Sequence, residues 1–214
     1  MRFATVLFDL DGTLIDHFKA IHRCHAYAMK QLGLPEPTME QVRAAVGGGL
    51  DEAIARLAGK ENVAAILPHY VPHWDATNLD DVALLPGALE ILQSLGRAEA
   101  TSAVFTNKRG YSAREVCGHL GLSQLLKGIY GIGDTPWHKP DPAFTRHALT
   151  QLGARAEDTL LVGDSPFDVQ TARNAGLGFI GVTTGTHSAD ELKAAGAELV
   201  FPDLFSVARE LGLS

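Results

Sequence analysis

Cysteine is scarce in this sequence: Cys24 and Cys117 are the only two in 214 residues and they form no C-x-x-C pair. A disulfide scaffold is thereby excluded, and reduced thiols that act as core or surface fillers in a cytoplasmic protein are expected. Basic charge is in deficit too. Eighteen Lys and Arg stand against 25 Asp and Glu, for a formal net charge of -7, so there is no broad cationic face for a nucleic-acid backbone or an anionic membrane. Long apolar runs are missing: no stretch is long enough to span a bilayer, and no extended hydrophobic region opens the chain. The expectation is a soluble monomer or homodimer whose partner is a small molecule rather than a nucleic acid or a membrane.

What is present suffices for a full core, since 46% of the residues are hydrophobic and the length allows one large domain carrying an insertion. Thr5-Val6-Leu7-Phe8 is a short continuous apolar run that suits a parallel strand buried on both faces. It ends on Asp9-Leu10-Asp11-Gly12-Thr13. The same shape recurs in residues 102–105 ahead of Thr106-Asn107-Lys108, and in residues 159–162 ahead of Gly163-Asp164-Ser165. Further strands are expected over residues 178–182 and 198–201. Helix-period segments separate these runs, with Pro86 at a plausible first helical position and a capping box at Ser188 and Glu191. Alternating buried strands and helices predict a doubly wound parallel α/β sheet, in which ligands sit beyond the carboxyl ends of the strands. The alternation breaks between residues 17 and 83, where helices are expected over 17–32, 38–46, 50–57 and 63–77 and no strand. This reads as an α-helical insertion. Thr38 and Gln41 can close a capping box there, and Gly47-Gly48-Gly49 suits a turn or hinge.

The polar residues at the strand ends point to phosphoryl chemistry. Asp9 and Asp11 lie two apart after a strand, so both carboxylates can face one site and divide the roles of nucleophile and proton carrier. An acidic turn would explain that pair alone, but the other strand ends add to it. Thr106 and Asn107 supply neutral donors, and Lys139 is a cation held ahead of a helix by Pro140 and Pro142. Asp164 and Asp168 add carboxylates whose hard oxygens suit Mg²⁺. A lysine and a divalent ion together give the electrostatic setting that phosphoryl transfer requires.

Taken in order, Asp9-Leu10-Asp11-Gly12-Thr13-Leu14, Thr106-Asn107, Lys139-Pro140 and Gly163-Asp164 with Asp168 resemble the four motifs of the haloacid-dehalogenase-like superfamily, across the whole chain. The resemblance implies a catalytic core of residues 1–16 and 84–214 and a helical cap of residues 17–83. It implies a Mg²⁺-dependent phosphatase of small phosphate esters that passes through a phospho-aspartyl intermediate on Asp9. Asp11 would protonate the leaving alcohol and then activate water. Thr106, with nearby backbone amides, would hold the phosphoryl group, and Lys139 would neutralise it and orient Asp9. The Asp9 and Asp164 side chains and the Asp11 carbonyl would ligate Mg²⁺, with Asp168 more distant. Thr106-Asn107-Lys108, the Lys139 motif and Arg43 ahead of Gly47-Gly48-Gly49 look like the phosphoglycolate-phosphatase branch, which places Asn107, Lys108, Arg43 and Gly48 on the substrate. Sugar phosphates are the other class expected. Phosphomutase and haloacid dehalogenase are alternative activities on this fold. A phospho-accepting receiver domain is the rival from another class, disfavoured because its acceptor follows a middle strand. His17, where the family often has Ser, is expected to affect cap contacts and not chemistry. His17, His22 and His25 near Cys24, and His69 and His73 four apart but interrupted by Pro72, invite a zinc site, but no acidic or thiol partner is spaced to complete one, so they are read as cap surface or packing; Trp74 and Trp137 are read as packing.

Overall fold

Val6, Leu7 and Phe8 alternate between two faces of a strand and none can be left in water, so both faces must be covered. The computed structural model, which describes residues 3–213, does this by placing β1 (Thr5–Phe8) inside a six-stranded sheet. Chain order continues with β2 (Ile15–Asp16), α1 (Phe18–Gln31), α2 (Met39–Ala45), α3 (Leu50–Ala58) and α4 (Val63–Thr77). Then come β3 (Ala83–Leu84), α5 (Ala88–Arg97), β4 (Thr101–Arg109), α6 (Gly110–His119), β5 (Gly128–Ile132) and α7 (Pro142–Leu152). The last elements are β6 (Thr159–Gly163), α8 (Pro166–Ala175), β7 (Gly178–Val182), α9 (Ala189–Ala195), β8 (Val200–Phe201) and α10 (Leu204–Glu210).

The sheet order is β5-β4-β1-β6-β7-β8, with every pair parallel. Val6 and Phe8 pack with α5, α6 and α10 on one face, while Leu7 packs with α7 and α8 on the other. This is the doubly wound sheet expected from the alternation of runs. The carboxyl ends of β1, β4 and β6 therefore lie side by side, and the acids and donors that follow them share one edge.

Helices α1 to α4 bury a separate apolar cluster of their own, built on Phe18, Cys24, Val42, Ile54, Ile66, Tyr70 and Trp74. The Thr38 hydroxyl oxygen accepts from the Gln41 N–H and the Thr38 N–H donates to the Gln41 side-chain oxygen in return, a capping box that starts α2. The chain enters and leaves this region through β2 and β3, which pair antiparallel with Ile15 opposite Leu84 and Asp16 opposite Ala83.

Several details differ from expectation. β5 escapes the pattern because Gly128 and Gly131 break its apolar run and most of it is half-buried at the sheet edge. β4 does not stop at Phe105 but runs to Arg109, after an irregularity in its pairing with β5. Gly87, not Pro86, caps α5, so Pro86 lies outside the helix. Pro68 and Pro72 both sit inside α4, which continues through them.

Candidate active site

Asp9 is the first residue beyond β1, and its backbone N–H still donates to the Val162 carbonyl of β6 at 2.9 Å. Its Oδ1 accepts from the Leu10 N–H at 2.7 Å and faces Lys139 Nζ at 3.0 Å. Oδ2 has no such partner among the described residues, so one oxygen is fixed and the other is available. Lys139 is 1% exposed and donates to Asp168 Oδ1 at 2.6 Å. Asp168 is itself anchored, because its Oδ2 accepts from the Ser165 N–H and hydroxyl at 3.1 and 2.6 Å at the start of α8. Burial works against the Lys139 charge, but Asp168 and Asp9 outweigh it and hold the ammonium above its usual range.

Asp164 completes the cluster. Thr13 donates to its Oδ1 at 3.2 Å, and the Thr186 N–H and hydroxyl donate to Oδ2 at 2.9 and 3.2 Å. Gly12, at φ +84°, makes the turn that brings these groups together, and a Cβ there would lie 2.7 Å from Asp164 Oδ2. Asp9, Asp164 and Asp168 each present an oxygen within 4.8 Å of the others. Burial, with Asp168 adding to it against the pull of Lys139, pushes the Asp9 carboxyl up to about 6. Burial followed by repulsion from Asp9 and Asp168 pushes Asp164 up to about 8. Three buried acids with Lys139 as their cation make a site short of positive charge, and carboxylate oxygens are the donors a hard divalent ion takes. The residues fit Mg²⁺.

Asp11 faces a different set of partners. Lys108 Nζ contacts both its oxygens at 3.0 and 2.9 Å, and His17 Nδ1 lies 3.5 Å from Oδ1. Burial works to raise the Asp11 pKa, but Lys108 and His17 prevail and hold it well below the usual carboxylate range. Lys108 also lies over the Trp74 ring of α4, 4.5 Å from its centre. The fully buried His17 donates Nε2–H to the Asn78 carbonyl at 2.6 Å. Burial, followed by Lys108, lowers its pKa against the pull of Asp11. His17 thus touches the second acid directly, contrary to the expectation that its influence stops at contacts of the helical insertion.

The other expected residues fall into two groups. Thr106 accepts from the Lys108 N–H at 3.1 Å, which leaves its hydroxyl proton free to donate into the cavity it lines. Asn107 is fully engaged: Nδ2 donates to the Gly47 and Lys139 carbonyls at 3.0 and 3.1 Å, and Oδ1 accepts from the Lys139 N–H at 2.9 Å. It ties two loops together and has no side-chain donor left for a ligand. Arg43 and Gly48 do not line the cavity. The Arg43 guanidinium lies 4.1 Å from the Phe18 ring centre, and its Nη1 is 3.4 Å from the Gly185 carbonyl, so it is spent on the seam between the insertion and the sheet. Gly48 packs against Glu52 and Phe167.

The cavity holds about 780 Å³ of space between atoms, its open mouth included. Its floor carries Asp9, Asp11, Thr106 and Asp164, and its roof is Ile21, His25, Leu50, Tyr70, Val71 and Trp74 of α1, α3 and α4. The roof residues were not singled out as site residues, because three helices must converge before they share a surface. Thr186 was within reach: it closes Thr183-Thr184-Gly185-Thr186, a polar strand end after β7 like the others. His73, considered for zinc, stacks on Tyr27 with ring centres 3.9 Å apart. No described helix is long and apolar enough to cross a membrane.

Comparison with known proteins agrees with this geometry. A family model described as haloacid dehalogenase-like hydrolase matches residues 6–182. A 5'-nucleotidase of Pseudomonas aeruginosa is 33% identical over 198 residues, covering 91% of this chain and 89% of that protein. A phosphoglycolate phosphatase of Rhodobacter capsulatus is 33% identical over 187 residues, 84% of each chain. A crystal structure from Bacteroides fragilis, described as a haloacid dehalogenase-like hydrolase, superimposes with a TM-score of 0.90 at 26% identity, over 96% of this chain and 99% of that one.

Proposed function

Because the chain belongs to the haloacid dehalogenase-like hydrolase family, with phosphatases among its relatives, we propose that it is a Mg²⁺-dependent phosphatase of small phosphate monoesters. The reaction passes through a phospho-aspartyl intermediate on Asp9. The observation that carries this reading is the state of Asp9: one oxygen held by Leu10 N–H and Lys139, the other unpaired, at the floor of a cavity beside two further acids. We further assign residues 1–16 and 84–214 to the catalytic core and residues 17–83 to a cap that roofs the site.

Asp9 Oδ2 attacks phosphorus in line with the ester oxygen, a P–O bond forms to the carboxylate, and the bond to the alcohol breaks. Thr106 donates its hydroxyl proton to a phosphoryl oxygen, and Lys139 offsets the charge gathered around Asp9. Asp11 gives a proton to the departing alkoxide and then takes one from the water that attacks the acyl phosphate, returning Asp9 as carboxylate and releasing phosphate. Since Lys108 grips Asp11 as an anion, Asp11 can carry that proton only after Lys108 exchanges it for phosphoryl oxygens, an exchange that an arriving dianion favours. The Asp9 and Asp164 side chains and the Asp11 carbonyl would hold Mg²⁺, while Asp168, whose Oδ1 is already paired with the Lys139 ammonium, would reach it through water. When bound, the ion supplies the positive charge that lets an anionic ester approach clustered carboxylates.

Relatives named for phosphoglycolate and for 5'-nucleotides match at the same identity, so identity does not choose between their substrates. The reading is tested by acid-quenching the enzyme during turnover and locating the phosphoryl group by peptide mass spectrometry. The adduct is expected on Asp9 and absent from Asp9→Asn, with activity abolished by chelation and restored by Mg²⁺. Full turnover after exhaustive chelation, or an adduct elsewhere, overturns it.

A further inference from the structure

The two halves of the cavity differ in charge. All of its ionised side chains come from the floor, and among the described residues no Lys, Arg, Asp or Glu of α1 to α4 lines it. The roof offers Ile21, Val46, Leu50, Tyr70, Val71 and Trp74. Its polar members add little charge. Trp74 Nε1–H is already given to Ser112 Oγ at 2.9 Å, and His25 is 1% exposed, with burial the main cause that pushes its pKa down to about 4. His25 Nδ1 is buried without a hydrogen-bond partner among the described residues, so an unmet hydrogen-bonding atom belongs to a wall that is apolar apart from it and the Tyr70 hydroxyl. The cations near this wall have partners of their own. Arg43 is turned to Phe18 and Gly185, Lys108 is held by Asp11, and Arg109 lies against the Tyr111 hydroxyl, which in turn donates to Asp75.

Building on the phosphatase reading, we propose that the roof selects phosphate monoesters whose alcohol is uncharged and largely apolar, with His25 and the Tyr70 hydroxyl as its hydrogen-bonding contacts. An apolar alcohol leaves water for a matching surface, gaining affinity. A carboxylate placed there would lose its hydration and find no cation of α1 to α4 lining the roof, which makes phosphoglycolate-like acids poor substrates.

A matched pair of esters tests this: 4-methylpentyl phosphate and 4-phosphonooxybutanoate, in which a carboxylate replaces an isopropyl group of similar shape. Binding of both is measured by calorimetry on Asp9→Asn protein with Mg²⁺, and kcat/KM of both on the unaltered enzyme. The neutral ester should bind at least tenfold more tightly and turn over with at least a tenfold higher kcat/KM, the difference residing in KM. Val71→Lys, which adds a cation to the half-buried roof, should narrow both ratios at least tenfold, and Leu50→Lys serves as the second variant should the first fail to fold. Equal or tighter binding of the acid, no binding of either ester, or ratios unmoved by the added lysine overturns the proposal. Selective binding of the neutral ester without phosphate release by the unaltered enzyme upholds this selectivity while refuting the phosphatase reading.

Discussion

Replacing Lys139 with Met keeps the volume of a fully buried side chain and removes the one cation placed between Asp9 and Asp168. The contacts at 3.0 and 2.6 Å are each worth roughly 6 kcal/mol of attraction at an effective dielectric of about 20. Against that stands a desolvation cost of several kcal/mol per buried ion. The attraction wins in the native protein, so its loss leaves uncompensated buried acids, and Lys139→Met should destabilise the metal-free fold by about 3–5 kcal/mol near pH 8. The size of the deficit depends on pH. Asp9, already pushed up to about 6, would rise further without Lys139. A carboxyl held above its unfolded value folds best when protonated, so the deficit grows as pH rises through the folded pKa and shrinks toward pH ~4. Urea unfolding of wild type and variant at pH 5 and pH 8 reads this directly. Adding Asp168→Asn to the variant should return part of the loss, since it removes one of the stranded charges while its side-chain oxygen can still accept from Ser165. A deficit below about 1 kcal/mol at pH 8, against the 3–5 expected for a broken buried pair, or one equal at both pH values, would refute the reasoning.

Asp11→Asn should lower turnover of alkyl phosphates by roughly 10²–10⁴ while leaving Mg²⁺ affinity nearly unchanged. With p-nitrophenyl phosphate it should give a burst of p-nitrophenol and then stall, and wild-type steady-state turnover of both esters would reduce Asp11 to a turn residue. In metal-free protein, Asp9 and Asp164 are held above 3.8, at about 6 and about 8, so stability should fall as pH rises from about 4 to about 8. Mg²⁺ competes for the ionised acids and should therefore raise Tm more at pH 8 than at pH 6, and the opposite trend in a thermal melt would count against the site. Gly185→Ala would put a Cβ onto the Asp164 carboxylate, so a Mg²⁺ titration of activity should show affinity weakened about 10- to 100-fold, with the fold retained by circular dichroism.

The core was legible because its chemistry is tied to local pattern. A run such as Thr5–Phe8 must be a buried strand, and the fold rule then brings Asp9, Thr106 and Asp164 to one edge without any long-range information. Legibility failed where a residue's role depends on who arrives opposite it. Asn107 was read as a donor to a ligand, yet its amide is consumed by Gly47 and Lys139, residues far away in sequence. Arg43 was read as a substrate contact, yet Phe18 and Gly185 draw it to the seam. His17 was expected to leave the chemistry alone, but α1 begins so close to the Asp11 turn that its ring meets the carboxylate. Trp74 was read as packing; it does pack, and it also carries Lys108 on its face. The short strands β2 and β3 and the glycine-broken β5 lack the periodicity that would have revealed them.

The pairing of β2 with β3 has a consequence for how this architecture can change over time. Since Asp16 and Ala83 are ladder neighbours, the long excursion between them departs from and returns to a single point. The entropy of closing a loop grows only slowly with its length, and here the ladder, together with the Leu85 N–H donating to the Leu14 carbonyl at 2.9 Å, holds the ends whatever lies between. Lengthening, shortening or exchanging the excursion would cost the sheet little, while the acids beyond β1 and β6 would stay where the parallel register holds them. Descendants of such a chain could inherit one reaction and diverge in what they accept, with recombination joints falling at the same two residues each time.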